Sequence, residues 1–275
     1  MNYPINFNSR SEKLSKISRR LIRNNTTLND RQRKFVKRYY NGRQLLRGFY
    51  TDFAVSYLMA MLLDVKKGNV LDTSCGSGRL FEYIPSNCEV QKYGFEIDPE
   101  SSKICKLLYP DVNIENCDAL AKINRISQKF NYVIANPPWG LQVNTENYNG
   151  YSLTNIPTKN NSTALFIELG IHSLVDGGRG IFLVPKSLFT NEFKDVIKYM
   201  ESNGNVLAII ELPSSAFYNS NIMVESCLIY YEKSKDKINQ IKTITISLVN
   251  EWTKNEEENK RLALEVVKEV KNHLR

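Results

Sequence analysis

The chain has 275 residues and a mass of 31.7 kDa, enough for one large domain with appendages and far above the size at which a core needs disulfide or metal support. With 42% hydrophobic and 24% charged residues it reads as globular, which excludes disorder throughout. The net charge of +8 is concentrated at one end: residues 1–47 hold thirteen Lys/Arg against Glu12 and Asp30, so the remainder is slightly acidic.

Residues 1–47 form the first part. Leu14, Ile17 and Leu21 recur at helical spacing, and the stretch 24–30 reads as a loop ending in an N-cap for a second helix. A basic arm on a nearly neutral body fits a polyanionic partner, nucleic acid above all; a solvated helical face is the alternative. From 48 to 233, short β-rich runs alternate with helical patterns. Strands are expected at Asn69–Asp72, Lys92–Glu96, Val112–Glu115, Tyr132–Ala135, Gly180–Val184, Val206–Glu211 and Ser226–Tyr231. Helix-like segments separate the first six. This predicts an α/β fold with a mostly parallel seven-stranded sheet and helices on both faces. From 234 onward come a polar stretch, a further candidate strand at 243–249 and a charged helix. In that helix Leu262, Val266, Val270 and Leu274 recur every four residues, a stripe expected to dock on the body rather than on another protein.

Ligands of parallel sheets bind beyond the carboxyl ends of the strands. The first strand runs into Asp72-Thr-Ser-Cys-Gly-Ser-Gly78. Gly76 and Gly78 allow a tight turn and close backbone approach to a ligand, and Asp72 suits an amine or a bound water. Phe81 stands where a dinucleotide loop needs its third glycine, and a phosphate-loop G-K-[ST] is absent. An ordinary glycine turn explains this loop taken alone equally well. Glu96 ends the second strand about twenty residues on, where a carboxylate can hold ribose hydroxyls. Asp118 follows the third strand and can accept from an exocyclic amine. Three acids at three successive strand ends argue together for a ligand site.

The fourth strand runs into Asn136-Pro137-Pro138-Trp139, the most specific signal in the chain. The prolines fix φ and remove donors, so carbonyls there act as acceptors, and Asn136 adds a side-chain oxygen. Two acceptors aimed at one point suit an –NH2 group, while Trp139 offers a flat face for a planar base or amide. Residues 140–162 are polar and aperiodic and are expected to form a mobile loop that orders on substrate.

DTSCGSG, GFEIDP, NCDA and NPPW, in this order and spacing, resemble the motifs of S-adenosylmethionine-dependent amino-methyltransferases, NPPW being the N6-adenine form. GFYTDFAVSYLMAMLL, upstream of the glycine loop, resembles the N-terminal cofactor motif of the gamma group. GGRGIFLVPKSLF and IIELPSSAFYNSNIMVESCLIYYEK are similar to modification subunits of type I restriction-modification systems. The resemblance covers about 48–233, roughly two-thirds of the chain. It implies a Rossmann-like methyltransferase fold divided into a basic helical extension (1–47), a catalytic domain (48–233) and a tail with an amphipathic helix (234–275).

The resemblance also implies roles. Tyr50 and Thr51 border the methionine part of S-adenosylmethionine. The loop from Asp72 through Ser74, Cys75 and Gly76 to Gly78 wraps the cofactor. Glu96, beside Ile97, holds its ribose, and Asp118, beside Ala119, contacts its adenine through the amino group. Asn136 and the Pro137 carbonyl bind the target amino group, Pro138 and Trp139 complete the catalytic tetrapeptide, Trp139 stacks on the target base, and Phe217 packs against that base once flipped. Asp52 and Thr73 depart from the family, standing where proline is frequent. No stretch after 233 is long enough for a recognition domain, so a separate specificity subunit supplies recognition or the basic arm gives only loose DNA affinity.

The implied function is methyl transfer to adenine N6 in DNA by an adenine-specific methyltransferase of a restriction-modification system. RNA adenine or guanine amino-methyltransferases and glutamine N5-methyltransferases of release factors share the tetrapeptide, and a non-catalytic module built on a degenerate methyltransferase fold is the reading from another class. Cys75, Cys88, Cys105, Cys117 and Cys227 show no framework or metal-ligand spacing, and the histidines are His172 and His273 alone. A reduced protein without a metal site is expected. The opening residues lack an apolar signal region and the longest apolar run, 54–63, is too short to span a bilayer. The expected setting is the cytoplasm of a prokaryotic or archaeal cell, with no membrane contact.

Overall fold

The computed structural model describes residues 9–25, 27–40, 51–155, 161–190, 193–216, 225–235, 244–248, 252–253 and 255–274. Tyr50, Phe217 and the expected boundary at 47/48 lie outside these ranges. The strands are β1 (Gly68–Asp72), β2 (Val90–Glu96), β3 (Val112–Asn116), β4 (Phe130–Ala135), β5 (Leu174–Pro185), β6 (Gly204–Leu212), β7 (Ser226–Lys233) and β8 (Ile244–Ser247). They form one sheet in the order β3-β2-β1-β4-β5-β7-β6-β8. Only β7 runs antiparallel to its neighbours; every other pairing is parallel. The sheet therefore has eight strands, not seven. The eighth is β8, the further candidate strand expected at 243–249, which joins the sheet by pairing with β6 from Ala208↔Ile244 to Glu211↔Ser247.

Side chains of the strands alternate between two cores. Val70, Ile134, Ile181, Leu183, Leu228 and Tyr230 face one layer, while Leu71, Val133, Ala135, Phe182, Val184 and Ile229 face the other. Period-two alternation with both faces apolar is what a sheet covered on both sides requires. The first layer is α3 (Phe53–Leu63) with α7 (Glu256–His273), and the second is α5 (Asn161–Ser173) with α6 (Lys194–Asn203). FAVSYLMAMLL is apolar all round because α3 is covered twice, by the sheet and by α7. The expected stripe of α7 thus docks on the body: Val266 and Val270 are buried with Ala263 and Val267, and Lys271 pairs with Asp64 at 2.9 Å.

The third cluster lies at the β3 edge, where α4 (Pro99–Leu108) meets α1 (Ser9–Asn24) and α2 (Asp30–Tyr39). Leu28, Val36 and Tyr40 pack with Phe81, Ile104, Cys105 and Leu108. Asn29 caps α2 as expected, accepting from the Gln32 N–H at 2.9 Å while the Gln32 side chain accepts from the Asn29 N–H at 3.0 Å. Two of the expected interstrand helices are missing. After β1 and after β3 the chain makes only single 3-10 turns, Arg79–Phe81 and Leu120–Lys122. Gly78 in the left-handed region at φ +89° and Pro85 confine the first, and both runs are too short to repay the fixing of a helical nucleus.

Candidate active site

The strand order reverses between β1 and β4, so their carboxyl ends diverge and leave a crevice. A cavity of about 200 Å3 opens there, lined by Thr51, by 72–76, by Glu96 to Asp98, by Asp118 to Leu120 and by Asn136 to Pro138. The four motifs read from the sequence thus meet in one place. Tight stitching places them: the Cys75 N–H donates to the Phe95 carbonyl at 2.9 Å, and the Cys117 N–H to the Glu96 carbonyl at 3.0 Å. Gly78 is not among the lining residues and packs against α4, where a Cβ would lie 2.5 Å from Cys105 Sγ and 2.6 Å from the Tyr109 ring.

Asp72 is fully buried. Its Oδ1 accepts from the Ser74 N–H at 3.0 Å, and its Oδ2 has no partner among the described residues. Burial pushes its carboxyl up to about 8; the Ser74 N–H opposes this and the Glu96 charge adds to it. A buried carboxylate oxygen with nothing to bond is costly unless a ligand completes it. The Glu96 oxygens accept from Gly76 N–H and Asp98 N–H, both at 2.7 Å, and burial raises this carboxyl too, against those bonds. Asp118 Oδ1 accepts from the Leu120 N–H at 3.0 Å. The cavity holds four carboxyl groups, the raised Asp72 among them and Asp98 the fourth, against Arg79 alone. The Arg79 guanidinium donates to the Lys37 carbonyl at 2.7 Å and lies 3.8 Å from the Phe53 ring centroid. Such a pocket attracts a cationic ligand and repels a phosphate-rich one.

Asn136 sits half-buried just past β4. Its Nδ2 donates to Thr51 Oγ1 at 3.0 Å, which turns the amide so that Oδ1 is its acceptor end. The Asn136 carbonyl accepts from Ser74 Oγ at 3.1 Å, and the Pro138 carbonyl accepts from Ser162 Oγ at 3.0 Å and Thr163 Oγ1 at 3.2 Å. Glycine loop, tetrapeptide and α5 are thereby locked together. Trp139 does not line the cavity; it is 6% exposed in the α3-side core, and its indole N–H donates to the Leu183 carbonyl at 3.3 Å. Ile97 is half-exposed at the cavity rim and Ala119 is buried in its wall. The Cys75 thiol is pushed well up, first by its hydrogen bond with Cys105 and then by burial, so it is no nucleophile.

From 140 to 155 the segment after the tetrapeptide is held to the body by hydrogen bonds at several points. Residues 156–160 lie outside the described ranges. Glu168, 2% exposed on α5, accepts from the Ser152 N–H at 2.6 Å and the Leu153 N–H at 2.9 Å. Tyr151 donates to the Leu120 carbonyl at 3.0 Å, Asn124 Nδ2 to the Asn149 carbonyl at 2.6 Å, and Tyr148 to Asp118 Oδ2 at 2.9 Å. Sequence reasoning missed Tyr148 and Glu168. A carboxylate inside the apolar run TALFIELGI was the available signal for Glu168, because a buried charge must have partners. Nothing local marks Tyr148. Among the described residues no group of three His, Cys, Asp or Glu is placed to hold a metal ion, and no helix is long and apolar enough to cross a membrane.

A sequence model of the N-6 DNA Methylase family matches residues 34–275. The chain belongs to the N-6 DNA Methylase family. It is 26% identical over 211 residues to the type I restriction enzyme MjaIX methylase subunit of Methanocaldococcus jannaschii, covering 67% of this chain and 37% of that one. It is 25% identical over 255 residues to the type I restriction enzyme MpnII methylase subunit of Mycoplasma pneumoniae, covering 81% and 46%. This family member therefore spans less than half the length of these curated relatives. Among solved structures, a protein assigned to the class I S-adenosylmethionine-dependent methyltransferases of Listeria monocytogenes superposes with TM-score 0.67 at 21% identity, over 98% of this chain and 80% of that one. The M protein of the type I restriction enzyme EcoKI superposes with TM-score 0.62 at 16% identity, over 94% and 63%. These likenesses establish the S-adenosylmethionine-dependent methyltransferase fold.

Proposed function

We propose that this N-6 DNA Methylase family member transfers a methyl group from S-adenosylmethionine to adenine N6 in DNA, as the catalytic part of a restriction-modification assembly. The observation that carries the reading is that Asn136 and Pro137 line the same cavity as Asp72, Glu96 and Asp118. Acceptors for a target amine and carboxylates for a cationic cofactor thus face one space. The residues fit that cofactor: the orphaned Asp72 Oδ2 suits its amino-acid end, Glu96 its ribose and Asp118 its adenine amine, between the apolar walls of Phe95, Ile97 and Leu120. When bound, S-adenosylmethionine supplies a methyl group on a good leaving group, so no covalent enzyme intermediate is needed.

The chain's own task is then to position and polarise the amine. Adenine N6 is a poor nucleophile because its lone pair is delocalised into the ring. Hydrogen bonds from N6 to Asn136 Oδ1 and to the Pro137 carbonyl favour a more tetrahedral nitrogen and release the lone pair. Thr51 and Ser74 keep Asn136 aimed. The adenine must leave the duplex to reach this point, at a cost of a few kcal/mol. Phe217 is assigned to pack against it. Trp139 backs the tetrapeptide from the core, and stacking a base on it requires the indole to leave its bond to Leu183.

The domain plan that goes with this reading is a basic extension (1–47) for DNA phosphates, a catalytic domain (48–233) and a tail (234–275). A DNA substrate goes with activity in the cytoplasm, and a separate specificity subunit is the expected partner. The basic α1–α2 hairpin favours nucleic acid over a release-factor substrate.

The deciding experiment is transfer from labelled S-adenosylmethionine to unmethylated genomic DNA, with RNA and a release factor in parallel and products identified by mass spectrometry. N6-methyladenine in DNA is expected. Asn136→Ala is expected to cut turnover about 100-fold or more while cofactor affinity changes little. Product on RNA or protein overturns the substrate, equal loss of turnover and cofactor binding overturns the role of Asn136, and absence of cofactor binding revives a non-catalytic module.

A further inference from the structure

The strap at 141–153 closes one side of the cavity, contributing Leu141, Val143 and Tyr148 to its lining. It is fastened from both ends: the Ser162 N–H donates to the Leu141 carbonyl at 3.3 Å, and the buried Glu168 takes the Ser152 and Leu153 N–H groups. Between these anchors, the Tyr148 hydroxyl donates to Asp118 Oδ2 at 2.9 Å. The other oxygen of Asp118 accepts from the Leu120 N–H at 3.0 Å. A carboxylate has about four acceptor directions, so one bond on each oxygen fixes its rotamer and leaves capacity toward the cavity it lines.

The geometry points to Tyr148 as a positioning residue that makes the site selective for a 6-aminopurine cofactor. The inference rests on the cofactor reading above and deepens it. Tyr148 holds Asp118 with an acceptor lone pair aimed at the exocyclic amine. It does so from a strap whose own placement depends on Glu168, and so ties the purine subsite to the segment that follows the catalytic tetrapeptide. A 6-oxopurine would set its carbonyl oxygen against the Asp118 carboxylate and be rejected. Without the hydroxyl, Asp118 loses a fixed partner and can turn, and the discrimination falls.

The test is calorimetric titration of the full chain with S-adenosylhomocysteine and with S-inosylhomocysteine, its 6-oxo counterpart. The wild-type chain is expected to prefer the amine. Tyr148→Phe, which removes one oxygen and keeps the ring, is expected to weaken S-adenosylhomocysteine about tenfold and S-inosylhomocysteine by less than about twofold. In an Asp118→Asn background the same change is expected to leave the ratio of the two affinities where it was, because Tyr148 acts through Asp118. Equal weakening of both ligands means that Tyr148 only supports the strap, and tighter S-adenosylhomocysteine binding means that its hydroxyl competes with the amine; either result overturns the inference. A wild-type chain that binds neither ligand overturns the cofactor reading itself, a failure distinguishable from the other two.

Discussion

Asp72 shows how a binding site is held at the expense of stability. Its carboxyl is raised to about 8 by burial, so in the free protein it keeps its proton at neutral pH, whereas in the unfolded chain it has lost it above about 4. Between those values the folded state binds one more proton than the unfolded state, so this group makes stability fall as pH rises. Asp72→Asn is expected to remove that slope: thermal melts of the ligand-free wild type should lose ground to the variant steadily from pH 5 to pH 8. The same variant should lose S-adenosylhomocysteine binding, which calorimetry would report. A variant whose melting profile parallels the wild type would place the raised carboxyl elsewhere. Three of the acids and Asn136 were legible because each stands at a strand end inside a compact motif. The shifted carboxyl of Asp72 was not, because its cause is burial by residues far away in the chain.

At the scale of elements, α3 and α7 illustrate mutual dependence. α3 has no polar face to turn toward water, and α7 supplies the cover through Ala263, Val266, Val267 and Val270. Val270→Asp puts an unpaired charge into that seam and is expected to cost more than about 3 kcal/mol of stability, read as a drop in Tm. Lys268→Ala, on the exposed face of the same helix, is expected to stay within about 0.5 kcal/mol of the wild type. The stripe on α7 was readable from its period. The attachments of the strap at 140–155 are not legible in the sequence, because they come from Glu168, Asp118, Leu120 and Asn124, which no local pattern connects to it. Trp139 shows the same limit: its place in the tetrapeptide suggested a stacking face, and the fold turns the indole inward to Leu183.

For the molecule as a whole, charge is divided unevenly between the N-terminal helices and the body. Lys13, Lys16, Arg20 and Arg23 are exposed on α1, next to a body whose remaining charge is slightly acidic. Arg79, which lines the cavity, donates to the Lys37 carbonyl of α2, so the hairpin stands beside the cavity. Replacing those four cations by Gln is expected to weaken DNA binding and to flatten its salt dependence by up to about 0.9 in log–log slope for each phosphate no longer neutralised, with S-adenosylhomocysteine affinity unchanged. Fluorescence anisotropy with duplex DNA at several salt concentrations would measure both. An unchanged slope would leave the hairpin as a solvated face. The chain spans less than half the length of these curated relatives.

The sequence by itself determined the fold class, the order of the strands along the chain and the motif residues that gather at the carboxyl ends. Those features depend on local period and on short motifs, which a chain carries without knowing its neighbours. The tertiary structure decided the rest. It brought the candidate strand at 243–249 into the sheet as β8, where β6 offers an edge. It reduced two expected helices to single turns, where the runs were too short to propagate. It pinned the strap after the tetrapeptide and set Tyr148 on Asp118, because hydrogen bonds between residues thirty apart form only once the sheet has brought their strand ends together. It also left Asp72 with a bare oxygen, since only the packing of other elements removes the water that would otherwise satisfy it.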